Sequence, residues 1–571
     1  MTRNNASIIG PSVLAVGVLL LGCLPLAAQE NNTYINHATR FAVSPPLRDL
    51  AKLPTQPWYG FHEARPVRRI PKHSVEPVVD TVEQRSAPAG GPAYSIIADF
   101  IGVGNGFPNY SVTDARPDTN MAVGDTQIVQ WVNVSYTVCQ KTSPYTCGPA
   151  IEGNTLWSSL GGICASNNDG GAIAQWDVAA HRWLLAQNVL TGTYGVCVAV
   201  STSPDATGTY YLYEFPALNN GYPDYPKWGI WPTGYFQAYN NFGPDDSGFL
   251  GAVFCAYNGA KLLVGDQTAE QICHQYLSID DSLLPADRDS PTAPPAGQDE
   301  FAIGSVGRDD NGHLSLYSVH INNQSNWTKG ASFNGAGNSQ LIRVAPYNPS
   351  CNGAYGGDCV PQKGISDLLD SLGDRLMYRF AYWEDQPLTD ILANPPLPAL
   401  AQHWLVNFDV TASGGNIGPR WMEITAPIKK VSLPTDLGKL TVFQQGTYAP
   451  DGNWRWMGSI ARDKVGDILL GYSESCGSTC PGGTPGGVYP SVYIAGRQVN
   501  DPLGLGNLEA EVQVVGGAGS QPDTSNLWGG YSAMRIDQDG CTFWYTQEYY
   551  LVTQRFDWST QVASAKFSNC N

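Results

Sequence analysis

Positive charge is scarce in this chain of 571 residues: 32 Lys and Arg stand against 50 Asp and Glu, a formal net charge of −18. Phosphate backbones are repelled by that balance, which speaks against a nucleic-acid partner. Histidine is sparse, with eight residues, and none falls into His-Glu-x-x-His or another metal-ligand spacing. Gly-x-Ser-x-Gly is missing, which removes the common hydrolase nucleophile elbow. The run Gly102-Val-Gly-Asn-Gly106 opens no helix pattern, so it does not read as a nucleotide cradle. After residue 28 no stretch reaches the roughly 18 consecutive apolar residues of a transmembrane helix.

What is abundant is glycine (62), tryptophan (16) and short apolar runs, with only 14% charged residues. That composition fits a turn-dense all-β protein with aromatic-rich sheets. One phrase recurs: an acid beside a turn residue leads straight into a strand, as in Asp118-Thr-Asn-Met-Ala-Val, Asp224-Tyr-Pro-Lys-Trp-Gly-Ile and Asp374-Arg-Leu-Met-Tyr-Arg-Phe. Repeats of a sheet-sized unit predict a β-propeller. Seven candidate blades can be marked, at about 117–160, 168–216, 224–284, 299–345, 372–424, 443–497 and 527–570. The last shows only three clear strands, so residues 94–101 are expected to close it and leave no open edge. The predicted propeller is then 94–571.

Ahead of it, residues 1–28 read as a secretory signal, with Arg3, an apolar Ile8–Leu26 stretch and Ala27-Ala28. Leu20-Leu-Gly-Cys23 also resembles a bacterial lipobox, so a lipid anchor at Cys23 stands beside plain secretion or periplasmic residence. Residues 29–93 are Pro-rich without a period and read as an irregular N-terminal extension. Truncation before 94 is expected to be tolerated, and truncation after 102 to destroy folding.

Of 13 cysteines, loss or lipidation of Cys23 leaves an even set in an exported chain, as an oxidised framework requires. Spacing suggests neighbour pairs: Cys139–Cys147, Cys164–Cys197, Cys255–Cys273, Cys351–Cys359, Cys476–Cys480 and Cys541–Cys570. A metal reading of Cys476-Gly-Ser-Thr-Cys480 lacks a second ligand pair.

In a propeller the first strand of each blade lines the central channel, so acids at its start converge on one mouth. The candidates there are Asp118, Asn120, Asp169, Asp224, Lys227, Asp374 and Arg375, with Tyr225, Trp528, Tyr531 and Arg379 as binding residues. Convergent carboxylates can share general acid and base roles, here Asp118, Asp224 and Asp374 with Lys227 or Arg375 as electrostatic partners, or hold Ca²⁺. The same residues can equally cap strands and tie blades together. Loop aromatics such as Tyr222, Tyr225 and Trp528 are candidate sugar platforms. Arginines and Glu548-Tyr549-Tyr550 supply the ingredients of a sialidase-like site, but Glu548 lies in an aromatic strand whose alternation can turn it either way. The turns at Asp205 and at Asp537–Asp539 resemble sialidase-type Asp-boxes, and their role is structural.

The phrases Asp118-Thr-Asn-Met-Ala-Val-Gly124, Gly153-Asn-Thr-Leu-Trp157, Tyr225-Pro-Lys-Trp-Gly-Ile-Trp231, Gly373-Asp-Arg-Leu-Met-Tyr-Arg379 and Cys541-Thr-Phe-Trp-Tyr-Thr-Gln-Glu-Tyr549 resemble a family of exported bacterial β-propeller proteins without an established activity. The resemblance spans about 115–570 and implies fold and export. This chain departs from it at Gly171, Thr233 and Gly530, where acids are common, which shifts weight from shared carboxylate chemistry toward binding. The expectation is a monomeric, disulfide-stapled propeller that binds a glycan or cell-envelope component at the channel mouth and requires no cofactor. A glycan-active enzyme, hydrolase or lyase, and a structural protein-interaction platform are the alternatives.

Overall fold

The computed structural model describes residues 32–52, 68, 70, 76–113, 115–244, 248–276, 280–306, 311–334, 341–353, 357–373, 375–385, 401–427, 429–433, 435–503 and 506–571. The predicted signal, Cys23 and Asp374 lie outside the described residues. The chain is all-β, and its strands follow one another as antiparallel meanders.

The first meander is Asn120–Val123, Gln127–Val132, Ser135–Gln140 and Ile151–Glu152. The second is Ile173–Asp177, Arg182–Val189, Gly195–Ser201 and Tyr210–Pro216. The third is Tyr222–Trp231, Gly234–Phe242, Phe249–Tyr257 and Glu270–Gln275. The fourth is Asp280–Arg288, Glu300–Val306 and His313–Ile321, edged by Ala331–Asn334 and Leu341–Arg343. The fifth is Phe380–Glu384, Ala401–Thr411, Ile417–Pro427 and Thr441–Tyr448. The sixth is Trp454–Arg462, Ile468–Cys476, Val488–Arg497 and Val512–Val515. The last is Ala533–Ile536, Thr542–Tyr550 and Trp558–Phe567, and Tyr94–Ile101 pairs with its third strand.

The opening strands of successive meanders lie against one another, and the opening strand of the last meander returns to that of the first. Those of the fourth and fifth pair directly, in parallel, from Ala286–Arg288 to Phe380–Tyr382. Interior strands such as Gly195–Ser201 are buried on both faces, so their sequences run continuously apolar. The edge strand Tyr94–Ile101 instead alternates, turning Tyr94 and Ala98 inward and Ile97 and Ile101 outward. Disulfides join Cys139 to Cys147, Cys164 to Cys197, Cys255 to Cys273, Cys351 to Cys359, Cys476 to Cys480 and Cys541 to Cys570.

The extension departs from its expected irregular character. Thr33–His37 adds a fifth strand to the third meander and Arg40–Val43 a fifth to the second. Glu83–Gln84 pairs in parallel with Thr447–Tyr448 of the fifth. Each covers an edge whose ladder groups would otherwise face water. Asp80 of the extension meets Arg420 inside the fifth meander, with Nη2 to Oδ2 at 2.6 Å. Gln84 accepts from the Leu508 amide at 2.7 Å and donates to its carbonyl at 2.9 Å. The strand segments are too short to show a period in the sequence, and the partners that order them lie hundreds of residues away. With these contacts, loss of residues before 94 is expected to destabilise the chain.

Candidate functional site

One end of the opening strands gathers a buried charged cluster. In the third meander the register slips between Asp224 and Lys227, a bulge around Tyr225-Pro226. Proline has no N–H for the ladder, and a bulge is where its absence is tolerated. Tyr225 takes φ of 54° there. The kink stacks Lys227 Nζ 3.1 Å from the Tyr225 ring centroid and 3.8 Å from that of Tyr531, which precedes the last meander. The ammonium also donates to the Pro226 carbonyl at 3.3 Å.

Ahead of the first meander, Arg116 Nε stands 3.1 Å from Asp118 Oδ1. Asp118 has φ of 45°, a backbone state uncommon outside glycine. Its carboxyl fills the space beside Gly530, where an added Cβ would sit 1.9 Å from Oδ1. That contact explains why no side chain, acidic or otherwise, stands at 530. Asp224 Oδ2 accepts the Arg68 amide at 2.8 Å, and Arg375 Nη2 donates to the Arg68 carbonyl at 2.6 Å. A residue of the extension is thus held across the cluster by both of its backbone groups.

Arg116, Asp118, Asp224, Lys227 and Arg375 are each at most 6% exposed. Burial raises the carboxyls of Asp118 and Asp224 above the usual Asp range, opposed chiefly by Arg116 for the first and Arg375 for the second. Burial also pushes the Lys227 ammonium well below the usual lysine range, against the pull of Asp118 and Asp224. Nearby, Glu548 Oε2 accepts the Gly529 amide at 2.6 Å. Burial holds that carboxyl well above the usual Glu range. Among the described residues, Arg375 Nε and Glu548 Oε1 are buried without a hydrogen-bond partner.

The remaining candidates are occupied by the chain itself. Asn120 donates to the Ala172 carbonyl at 2.8 Å and accepts the Ala174 amide at 2.8 Å, stitching the first two meanders. Asp169 accepts from the Leu190 amide and the Thr191 hydroxyl, both at 2.8 Å. Arg379 binds Asp287 Oδ2 at 2.8 Å and the Met534 carbonyl at 3.2 Å, and also pairs with Asp289. Arg535 joins the same network through Asp287, Tyr378 and Gln175 Oε1. Trp528 is core, packed on Trp456 and Tyr550, with its Nε1 donating to Ser473. Tyr225 and Tyr531 are buried against each other, their centroids 5.5 Å apart. None of these three aromatics offers an open ring face to a sugar. The Asp-box-like turns are local braces: Asp205 accepts the Thr207 amide at 2.9 Å, and Asp539 accepts the Cys541 and Thr542 amides at 2.8 Å.

Glycoside hydrolysis needs two carboxyls facing a sugar from about 5–10 Å apart. Asp118 and Asp224 are engaged by Arg116 and by the Arg68 amide, and neither faces open space in this state. What the cluster can do is hold the polar groups of a ligand that takes the place of Arg68. Among the described residues no group of three or more His, Cys, Asp or Glu side chains is arranged to hold a metal ion. Sequence reasoning missed Arg116 and Arg68. The first stands two residues before Asp118, and the second carries no pattern at all.

No protein-family model and no curated protein matches this chain. Similar solved structures include a protein of unknown function from Dyadobacter fermentans DSM 18053, at 9% identity and TM-score 0.32, covering 83% of this chain and 100% of that one. Phage phi92 endosialidase matches at 7% identity and TM-score 0.31, over 83% of this chain and 69% of its own. The GH93 α-L-arabinofuranosidase of Fusarium graminearum, solved with arabinobiose, matches at 12% identity and TM-score 0.25, over 61% and 93%. At these values the chemistry of the site rests on its own residues.

Proposed function

We propose that this chain is an exported, monomeric, disulfide-stapled seven-bladed β-propeller that binds a cell-envelope component at the mouth of its central channel. Each meander is a blade, the opening strands line the channel, and Tyr94–Ile101 completes the last blade. Six disulfides fit an oxidising compartment. The observation that carries the binding reading is the convergence of Asp118, of Asp224 and Lys227 on one strand, and of Arg375, from three separate parts of the chain onto one end, with Arg375 Nε and Glu548 Oε1 left unsatisfied there among the described residues. Buried polar atoms without partners are costly, and a bound ligand or ordered water would satisfy them. The platform requires no cofactor; melting with chelator or added Ca²⁺ tests for a cation, since a bound ion raises stability.

A glycan-active enzyme is the second reading. It is favoured by Lys227, whose proton affinity burial depresses against the pull of Asp118 and Asp224, while burial raises the carboxyls of those two, because groups tuned in opposite directions are the mark of acid–base sites. Co-sedimentation of oxidised protein, residues 29–571, with isolated bacterial envelope material separates the two when the same mixture is assayed for released sugar. Saturable retention without release supports the platform. Release that Asp224→Asn abolishes supports the enzyme, and absence of both refutes the binding reading.

A further inference from the structure

Arg68 is held across the charged cluster in a way that core packing alone does not require. Asp224 takes the N–H and Arg375 the C=O of a single residue, Arg68, so the recognition is of peptide backbone. The Arg68 guanidinium lies 3.9 Å from the Tyr222 ring centroid and 5.6 Å from that of Phe242, the geometry of cation–π contact. Two residues on, Ile70 is 4% exposed and packs with Leu190, Tyr222 and Phe242. Two walls of this pocket also pack on aromatic neighbours of their own. Tyr222 is braced by Tyr194 at 5.6 Å and Phe242 by Phe249 at 5.3 Å, centroid to centroid. Backbone reading by a charged pair, an aromatic seat for a cation and an apolar pocket at fixed spacing are the parts of a linear-peptide site.

Charge points the same way. Residues 65–73 hold Arg65, Arg68, Arg69, Lys72 and His73, a basic island in a chain of net charge −18. A basic peptide is steered toward an acidic protein.

We propose that Tyr222, Asp224, Phe242 and Arg375 form a peptide-recognition site for an arginine followed two residues later by an aliphatic side chain, filled here by the chain's own Arg68 and Ile70. The inference rests on the mouth being a binding site, and it names the ligand as a basic peptide rather than a glycan. The segment acts as a competitor in cis, lowering apparent affinity by the fraction of time it occupies the site.

The test uses oxidised full-length chain, residues 29–571, as wild type and as Arg68→Ala/Ile70→Ala. The probes are a blocked synthetic peptide of residues 66–72, a scrambled peptide of the same composition, and soluble envelope polysaccharide. The double variant should bind the native-order peptide saturably, at least tenfold more tightly than wild type does, and at least tenfold more tightly than it binds the scrambled peptide. Equal binding of the two peptides would reduce the effect to net charge and overturn the proposal. So would binding of polysaccharide with none of peptide. If the variant does not fold, hydrogen exchange in wild type decides. A ligand-like segment opens locally, so the Arg68 amide should exchange at least a hundredfold faster than amides of Gly234–Phe242. Equal rates would make the segment an integral part of the fold and overturn the proposal. Peptide binding together with failed envelope co-sedimentation would leave the site standing and remove only the envelope as its ligand source.

Discussion

Asp80→Ala is the sharpest test of how the extension is integrated. Asp80 Oδ2 accepts from Arg420 Nη2 at 2.6 Å and from the Thr447 hydroxyl at 2.7 Å, while Oδ1 accepts the Val82 amide at 3.0 Å. Arg420 is fully buried; its other bonds run to Thr447 Oγ1 at 2.7 Å and the Ala345 carbonyl at 3.0 Å, neither a counter-charge. Burial lowers the proton affinity of that guanidinium, and Asp80 is the first of the groups that restore it. Removing one partner of a buried pair costs about 3–5 kcal/mol, because the other charge stays buried and uncompensated. Asp80→Ala should therefore destabilise by that amount in denaturant unfolding of the oxidised protein. Asp80→Ala/Arg420→Met should recover most of the loss, since no orphaned charge remains. A loss below about 1 kcal/mol in the single variant would refute the reasoning. It would mean that the extension sits on the sheets without holding them.

Two further outcomes follow from the buried charged cluster and its surroundings. Among the described residues no carboxylate hydrogen-bonds Lys227, which is held by two ring faces and a carbonyl, so Lys227→Met should change stability by no more than about 2 kcal/mol, the scale of a desolvated cation–π contact. Its envelope binding should fall at least tenfold in co-sedimentation; a large stability loss with unchanged binding would mark Lys227 as structural. Burial, with repulsion from Asp358, pushes the Asp370 carboxyl up to about 6, above the roughly 3.9 of an unfolded Asp. A raised folded-state value contributes stability that is complete below about pH 3.9 and is lost as pH rises through 6. Asp370→Asn keeps an oxygen for the Leu372 amide and should raise the melting temperature at pH 8, with the gain shrinking toward pH 4; an equal effect at both pH values would contradict this.

The strand runs were legible because burial on both faces demands continuous apolar sequence, and disulfide partners followed from neighbour spacing. Asp118 and Asp224 could be singled out together because each opens a copy of the repeated phrase, and Lys227 and Arg375 because they stand inside such copies. What stayed hidden was set by distant partners. Arg68 and Asp80 sit in Pro-rich sequence with no period, yet bind groups more than a hundred residues away. Aromatic identity did not reveal orientation. Tyr225 and Trp528 read as sugar platforms but turn inward, Trp528 onto Trp456 and Tyr550 and Tyr225, with Tyr531, around Lys227. Gly530 reads as a missing acid, and only the position of the Asp118 carboxyl shows that the space is already taken.

Hydrogen exchange of the oxidised chain with and without saturating envelope material locates the ligand site most directly. Binding at the mouth predicts slowed exchange at residues 115–120, at the start of Tyr222–Trp231 and across 375–380, with Tyr94–Ile101 unchanged. Protection along the outer strands, with none at those three segments, would contradict the account.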